Sequence, residues 1–430
     1  MASATVLVVF VAVGLLDSIH FRPRLESREG QAVAGQPSTA YAIEVLSLLD
    51  ALLTPLRTRT EKTYSEPLAT RAYAKEAIEV RDADGRIRQT RDYPRLKHGG
   101  AHLGADEGRR DADVAQRLLA ALALGVVAWW AVAAMTAAGL ARAHACSHRA
   151  AWRRIWRNEC DFAWNAVLAA MAALLLMLLP MAMLAADYHV FGTDKVGQDV
   201  LYQILKSVRT ALVIGLVTTL VMLPLSILLG VLAGYCRGWV DDVIQYLYTT
   251  LSSIPGVLLI AAAVLMMQVL IDTHPQWFET AAERADLRLL ALCFILGVTS
   301  WTGLCRLLRG ETLKLRELEY IQAAQAFGVS DWRIIVRHIL PNLMHIVIIA
   351  LVMDFSGLVL AEAVLSYVGI GVDPTMTSFG TMINNARMEL GREPVVWWSL
   401  AAAFSAMFIL VLAANLFADA VRDAFDPRAA

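Results

Sequence analysis

The chain has 430 residues, 57% of them hydrophobic and 18% charged, well below the roughly 25% charge of a soluble domain; this excludes a soluble enzyme or binding module and indicates a membrane protein. The net charge of −1 offers no global field for nucleic acid or an acidic partner. The five cysteines contain no CxxC pair, which argues against a disulfide framework.

A spanning helix needs about 20 mostly apolar residues, and the sequence offers eight such stretches: Ala4–Ile19, Leu118–Ala141, Phe162–Ala186, Ala211–Tyr235, Val243–Ile271, Leu287–Leu308, Leu343–Val368 and Val395–Ala418. The expected fold is therefore all-α and polytopic. Residues 1–20 form the first span, which is short and contains Asp17. Without a basic n-region or an A-x-A site it reads as a retained helix rather than a secretory signal. Residues 21–117 are charged and turn-rich, and read as a small extracytoplasmic domain or cover, or as a loosely ordered tether. Within them "RDADGRIRQTRDYPRL" carries a DG turn between Ile78–Val80 and Ile87–Arg88, a hairpin signal, and Ala40–Leu53 reads as a helix along the membrane face.

The second span, 118–141, leads into a basic loop at 142–161 that carries Arg142, Arg149, Arg153, Arg154 and Arg157. The excess of arginine places this loop in the cytoplasm. Counting spans from there puts Arg237, the Arg309–Arg337 stretch, Arg422 and Arg428 inside, with both termini cytoplasmic. Arg22, Arg24 and Arg28 run against this count, but they open a loop long enough for the rule to lose force. His144, Cys146, His148 and Cys160 lack zinc-finger spacing, so no metal is expected. Further on, "FGTDKVGQDVL" has a Gly192–Gly197 turn and precedes an amphipathic "YQILKSV", a pattern suited to the outer membrane face. Ser253, Ile254 and Pro255 stand inside the fifth span, where proline either serves a gate or only fits curvature.

One segment is helical in pattern yet too charged for lipid: "RLLRGETLKLRELEYIQAAQAFGVSDWRIIVRHILPN". From Glu317 it reads as one helix ending at Gly328, where glycine takes the left-handed C′ position. Ser330 then caps a second helix through its hydroxyl, and Pro341 starts the seventh span. Ile321, Ala324 and Gly328 recur along the first helix; Trp332, Ile335, Val336 and Ile339 make one face of the second. These faces pack beneath the chain's own spans, as Trp332 and Ile335 are suited to do, or meet another protein, and the small residues Ala323, Ala324 and Gly328 favour a partner's groove.

"QAAQAFG" followed by "HILPN" resembles the EAA loop of ABC importer permeases, with Gln322 where that family usually has glutamate. In family order stand "GVLAGYCRGWVDDVIQ", "SSIPGVLL", "AEAVLSYVGIGVDPTMTSFGTMI" and the tail "DAVRDAFDPR". Over roughly Trp152–Arg428 the chain is similar to the dipeptide, oligopeptide and nickel permeases, in the type called the C subunit. That resemblance implies a type I permease core over 162–430 with six spans, a cytoplasmic coupling segment at 310–341, and a small extracytoplasmic insertion before the core. It implies half of a translocation pathway for peptides or peptide-like solutes in a bacterial inner membrane. The implied partners are a second, B-type permease, two ATPase subunits and an extracytoplasmic substrate-binding protein.

The chain has no GxxxxGK[ST] loop, so it is read as a transport subunit and not an enzyme, with ATP and Mg²⁺ bound by the partners. The resemblance assigns ATPase coupling to Glu317, Tyr320, Gln322, Ala323, Ala324, Gly328, Ser330, Asp331 and Arg337. Asp354 and Glu362 are costly in hydrocarbon and serve either structure or the pathway. A competing reading is a stand-alone ion-coupled carrier using those two carboxylates, although no internal repeat of the kind such carriers show is visible.

Overall fold

The computed structural model describes residues 1–22, 45–81, 87–104, 106–160, 162–278 and 280–425. Its helices are α1 (Ala2–Ser18), α2 (Leu48–Leu52), α3 (Thr54–Thr58), α4 (Arg110–Ala143), α5 (His148–Arg157), α6 (Trp164–Ala185), α7 (Val200–Cys236), α8 (Gly238–Ser253), α9 (Gly256–Thr273), α10 (Ala281–Arg316), α11 (Glu319–Ala326), α12 (Asp331–Ile334), α13 (Leu340–Val368), α14 (Phe379–Glu389) and α15 (Trp398–Phe425). Two antiparallel pairs complete it: β1 (His20–Phe21) with β2 (Leu46–Ser47), and β3 (Glu76–Arg81) with β4 (Ile87–Asp92). Among the described residues seven helical runs are long and apolar enough to cross a membrane. The first expected span is the shorter α1, of 17 residues. The chain is an all-α polytopic membrane protein.

Several expected boundaries are corrected. The fifth span is two helices, because Ile254 and Pro255 are extended (ψ 132 and 117): proline lacks an N–H, and its ring pushes the preceding residue out of the helical region. The helix expected over Ala40–Leu53 is confined to α2; residues 40–44 lie outside the described residues, and Leu46 and Ser47 pair instead with β1. Ser47 closes a capping box with Asp50, which fixes where α2 begins. The hairpin pairs Val80 with Arg88 and Arg81 with Ile87, while its Asp84-Gly85 turn lies outside the described residues. α14 begins inside a stretch read only as a motif and runs beyond it to Glu389.

The chain divides into two units, Met1–Arg209 with Ala386–Ala406, and Thr210–Asn385 with Met407–Ala430. In the first unit the polar insertion is docked onto the segment between α6 and α7. Glu61 accepts the backbone N–H groups of Lys97 (2.8 Å), His98 (2.7 Å) and Gly99 (3.1 Å). Its carboxylate also lies 3.4 Å from His189 Nε2, whose Nδ1 is 2.8 Å from Asp199; Asp199 in turn accepts the Leu201 N–H at the start of α7. Gly197 has φ +76, and a Cβ there would stand 1.9 Å from the Glu61 carbonyl, so the loop needs glycine for conformation and space alike. Trp398 donates to the Thr193 carbonyl at 3.1 Å and meets the Tyr73 ring edge-on at 4.8 Å.

The Asp17 that made the first span marginal is 1% exposed and sits 2.6 Å from Lys206 Nζ on α7. Lys206 also reaches Asp50 at 3.1 Å, Ser47 donates to Asp17 at 2.6 Å, and Tyr202 donates to Asp50 at 2.7 Å. Removing one partner of a buried pair leaves the other charge uncompensated. Lys206→Ala is therefore expected to lower stability by about 3 kcal/mol, read as an earlier thermal unfolding midpoint in detergent, with Lys206→Arg largely retaining it.

Burial alone pushes the Glu61 carboxyl up and the His189 imidazolium down, but hydrogen bonding outweighs it: His189 and the three amides hold Glu61 at about 2, and Asp199 and Glu61 hold His189 at about 9. The Glu61 contribution is present above its ordinary 4.5 and lost as pH falls toward 2; the His189 contribution is present below its ordinary 6.5 and lost as pH rises through 9. Protease cleavage between α1 and α4 is thus expected to be slowest between those two ordinary values and to rise in alkali. His189→Gln should abolish the alkaline rise, and a flat profile from about pH 6 to about pH 10 would contradict this latch.

In the second unit α10 packs against α8, α9, α11 and α13. Close approaches are made by glycine: a Cβ on Gly215 would stand 2.3 Å from the Phe355 ring, and one on Gly230 2.8 Å from the Cys305 carbonyl. Arg309 grips Asp241 through two bonds, Nε at 2.5 Å and Nη2 at 2.7 Å, the fork geometry that suits a carboxylate.

Candidate functional site

The segment after α10 is a compact element with one buried and one open side. α10 continues to Arg316, and α11 starts afresh at Glu319, so the single helix expected from Glu317 is interrupted at Leu318, whose backbone is extended (ψ 138). The reason lies in Ile321. It is fully buried with Ile334, Ile339 and Leu308 in one apolar cluster, and the break turns α11 so that this side chain faces inward. Of the two faces that either pack beneath the chain's own spans or meet another protein, Ile321 and Ile339 belong to the core.

Gly328 has φ +75, as its left-handed C′ position requires. The Gly328 N–H donates to the Gln325 carbonyl at 2.9 Å and the Val329 N–H to that of Ala324 at 3.1 Å, the paired bonds of a Schellman ending. A Cβ at Gly328 would meet nothing within 4 Å, so glycine is required there by backbone conformation alone. Ser330 does not cap α12 through its hydroxyl. It has a cap residue's extended backbone and its carbonyl accepts the Ile334 N–H, while the helix start is fixed by Asp331, which accepts the Tyr235 hydroxyl at 2.7 Å.

Tyr235 is the post that holds the turn. Its hydroxyl also accepts from Gln325 Nε2 at 3.2 Å, and Arg316 donates to its carbonyl and lies 5.5 Å from its ring centre. Glu317 pairs with Arg237. Gln322 Nε2 donates to the Glu317 carbonyl at 3.3 Å, a bond that a carboxylate, being acceptor-only, cannot make. Tyr320 accepts from Asn342 at 3.1 Å. Pro341 stands in the first turn of α13, as expected, but α12, a π turn at Ile335–Ile339 and α13 run on without a break. The wider π turn tolerates a proline whose ring would collide with the carbonyl four residues back in a regular helix.

The open side carries Phe327, 87% exposed, and Trp332, 71% exposed, with Tyr320 and Val336 also exposed. Ala323, Gly328, Asp331 and Arg337 are exposed and Ala324 is half-buried. All nine residues expected to couple therefore fall on this one element, while Asp354 and Glu362 stand on α13. Asp354 is half-buried; Glu362 is 2% exposed and accepts the Ser366 hydroxyl at 2.6 Å and the Ser378 hydroxyl at 2.9 Å. Sequence reasoning missed Tyr235, Phe327 and Gln325. Tyr235 stands in the quoted "GYCRGW", and Phe327 beside the glycine of "QAFG", so both were within reach as a polar aromatic at a span end and a bulky aromatic at a turn.

The chain is thus a multi-span helical protein whose segment after α10 leaves two large aromatics, Phe327 and Trp332, exposed. Residues 226–430 match the family described as binding-protein-dependent transport system inner membrane component. The glutathione transport system permease protein GsiD of Pectobacterium atrosepticum is 32% identical over 305 residues, covering 66% of this chain and 93% of that protein. The oligopeptide transport system permease protein OppC of Mycobacterium tuberculosis is 30% identical over 294 residues, covering 64% of this chain and 92% of that protein. An inward-facing structure of the MetNI methionine ABC transporter covers 52% of this chain and 96% of its own at a TM-score of 0.38 and 18% identity. The chain belongs to this family: it is a multi-pass permease component of a binding-protein-dependent ABC importer of the bacterial inner membrane. Membership implies ATPase partners and a binding protein.

Tyr235→Phe removes the hydroxyl shared by Gln325 and Asp331 and is expected to destabilise the turn by about 1 kcal/mol. Amide hydrogen exchange should quicken across residues 319–334 without loss of the apolar helices; unchanged exchange would show that the hydroxyl does not hold the turn.

Proposed function

We propose that this chain is the C-type permease of a peptide importer. With a second, B-type permease it lines the pathway for peptides or peptide-like solutes, which an extracytoplasmic binding protein delivers, and two separate ATPase subunits bind ATP and Mg²⁺. The substrate class follows from the names of its relatives, which transport glutathione, dipeptides and oligopeptides. The absence of a phosphate loop from the sequence supports placing nucleotide chemistry on the partners.

The observation that carries the coupling role is the exposure of Phe327 and Trp332 on either side of Gly328, on an element fixed from behind by Tyr235. Exposed aromatics of this kind mark a surface covered by another protein. Glu317, Tyr320, Gln322, Ala323, Ala324, Gly328, Ser330, Asp331 and Arg337 form or support that surface, and closure of an ATPase cleft moves it as one body. The arginine count supports a cytoplasmic location for this element and for both termini, with residues 21–117 outside. The insertion, spans and core then follow the division at 20, 117, 141 and 161. Glu362, with its two serine donors, is best read as structural, which leaves Asp354 as the pathway candidate.

Tagged protein from native membranes should bring down ATPase subunits. Phe327→Ala with Trp332→Ala should cut that recovery by about tenfold, as the loss of two aromatic anchors predicts, while leaving membrane insertion intact. Undiminished recovery in the double variant would move the docking surface elsewhere, and no ATPase with the parent chain would end the importer reading.

A further inference from the structure

α5 stands between two spanning helices and is too short to cross a bilayer, at 10 residues. Both of its ends are closed. The Ser147 hydroxyl accepts the Ala150 N–H, and Asn158 takes the left-handed conformation with Glu159 N–H bonded to the Arg154 carbonyl, so the helix is a finished element and not a frayed continuation of α4. One side is pinned: Ile155 is buried in one cluster with Ala133 and Ala137 of α4 and Leu168 of α6, Ala151 is buried one turn before it, and the Trp152 ring lies 5.6 Å from that of Trp130 of α4. The helix therefore lies where those spans leave the hydrocarbon.

Its other side is basic. Arg149, Arg153 and Arg157 recur every four residues, Arg154 joins them, and all are exposed. The acidic group facing them among the described residues is Glu159, 3.9 Å from Arg157 and itself exposed. Trp156, 62% exposed, adds an indole of the kind that settles at headgroup depth. Four guanidiniums presented at the membrane surface, with an amphipathic aromatic among them, complement a sheet of phosphodiesters, which arginine binds in bidentate fashion. We propose that this face of α5 binds anionic phospholipid headgroups in the leaflet where α4 ends and α6 begins. The full chain thereby carries a ring of selected lipid at this point.

The test reconstitutes the full chain in mixed phosphatidylcholine and phosphatidylglycerol vesicles and compares the motionally restricted fraction of spin-labelled phosphatidylglycerol with that of spin-labelled phosphatidylcholine. Juxtamembrane basic residues each contribute enough for roughly fivefold preference, so the parent chain should favour phosphatidylglycerol by about that factor or more, decreasingly at high salt. R149Q/R153Q/R157Q should bring the ratio close to unity, and R149K/R153K/R157K should restore most of it. Equal restriction of both lipids by the parent chain overturns the proposal, as does a preference that survives in the glutamine variant. A preference that disappears on adding the ATPase subunits assigns the face to a protein instead. Unchanged helix content and elution of the glutamine variant confirm that folding is not what was read.

Discussion

Hydrocarbon offers no partner to an unpaired polar group, and that constraint explains the irregular features of this chain. Asp17 is retained in an apolar helix because Lys206 lies against it. Glu362 is retained because two serine hydroxyls reach it, one from its own helix and one from the loop before α14. Among the described residues the fifth apolar run breaks at Pro255, which has no N–H to leave unpaired.

The same constraint explains what the sequence made legible. Long apolar runs announced the spans because they have no other stable environment in a chain of this composition. Gly328 announced its turn because few other residues adopt φ +75, and the DG dipeptide announced the β3–β4 pairing. What stayed hidden depends on residues far apart in the chain. Nothing near Asp331 points to Tyr235, nor anything near Asp17 to Lys206. Ser330 has the residue type of a cap and the backbone of a cap, yet the structure uses its neighbour, so local chemistry alone overstated its role. Trp332 fits the apolar period that also contains Ile339, and only packing separates the exposed member of that set from the buried one.

The insertion was read as a small domain or cover, or a loose tether, and its described residues are docked onto the segment between α6 and α7. Among its described residues the insertion's own apolar core is slight, with Ala69, Ala72 and Leu96 as one cluster. Order comes instead from backbone amides gathered on Glu61 and from contacts with Thr193, Gly197 and Trp398. Those residues lie in segments that resemble the wider family, so the added chain is held by features of the core it covers.

The unbroken run from Asp331 to Val368 has 38 residues, a rod about 57 Å long. One close contact along it is Phe355, whose ring leaves no room for even a methyl group at Gly215. By helix rise that contact lies roughly 36 Å from the Asp331 end and about 20 Å from the Val368 end. In the coupling proposed above, a rod tilting about it would carry its Asp331 end through nearly twice the arc of its Val368 end.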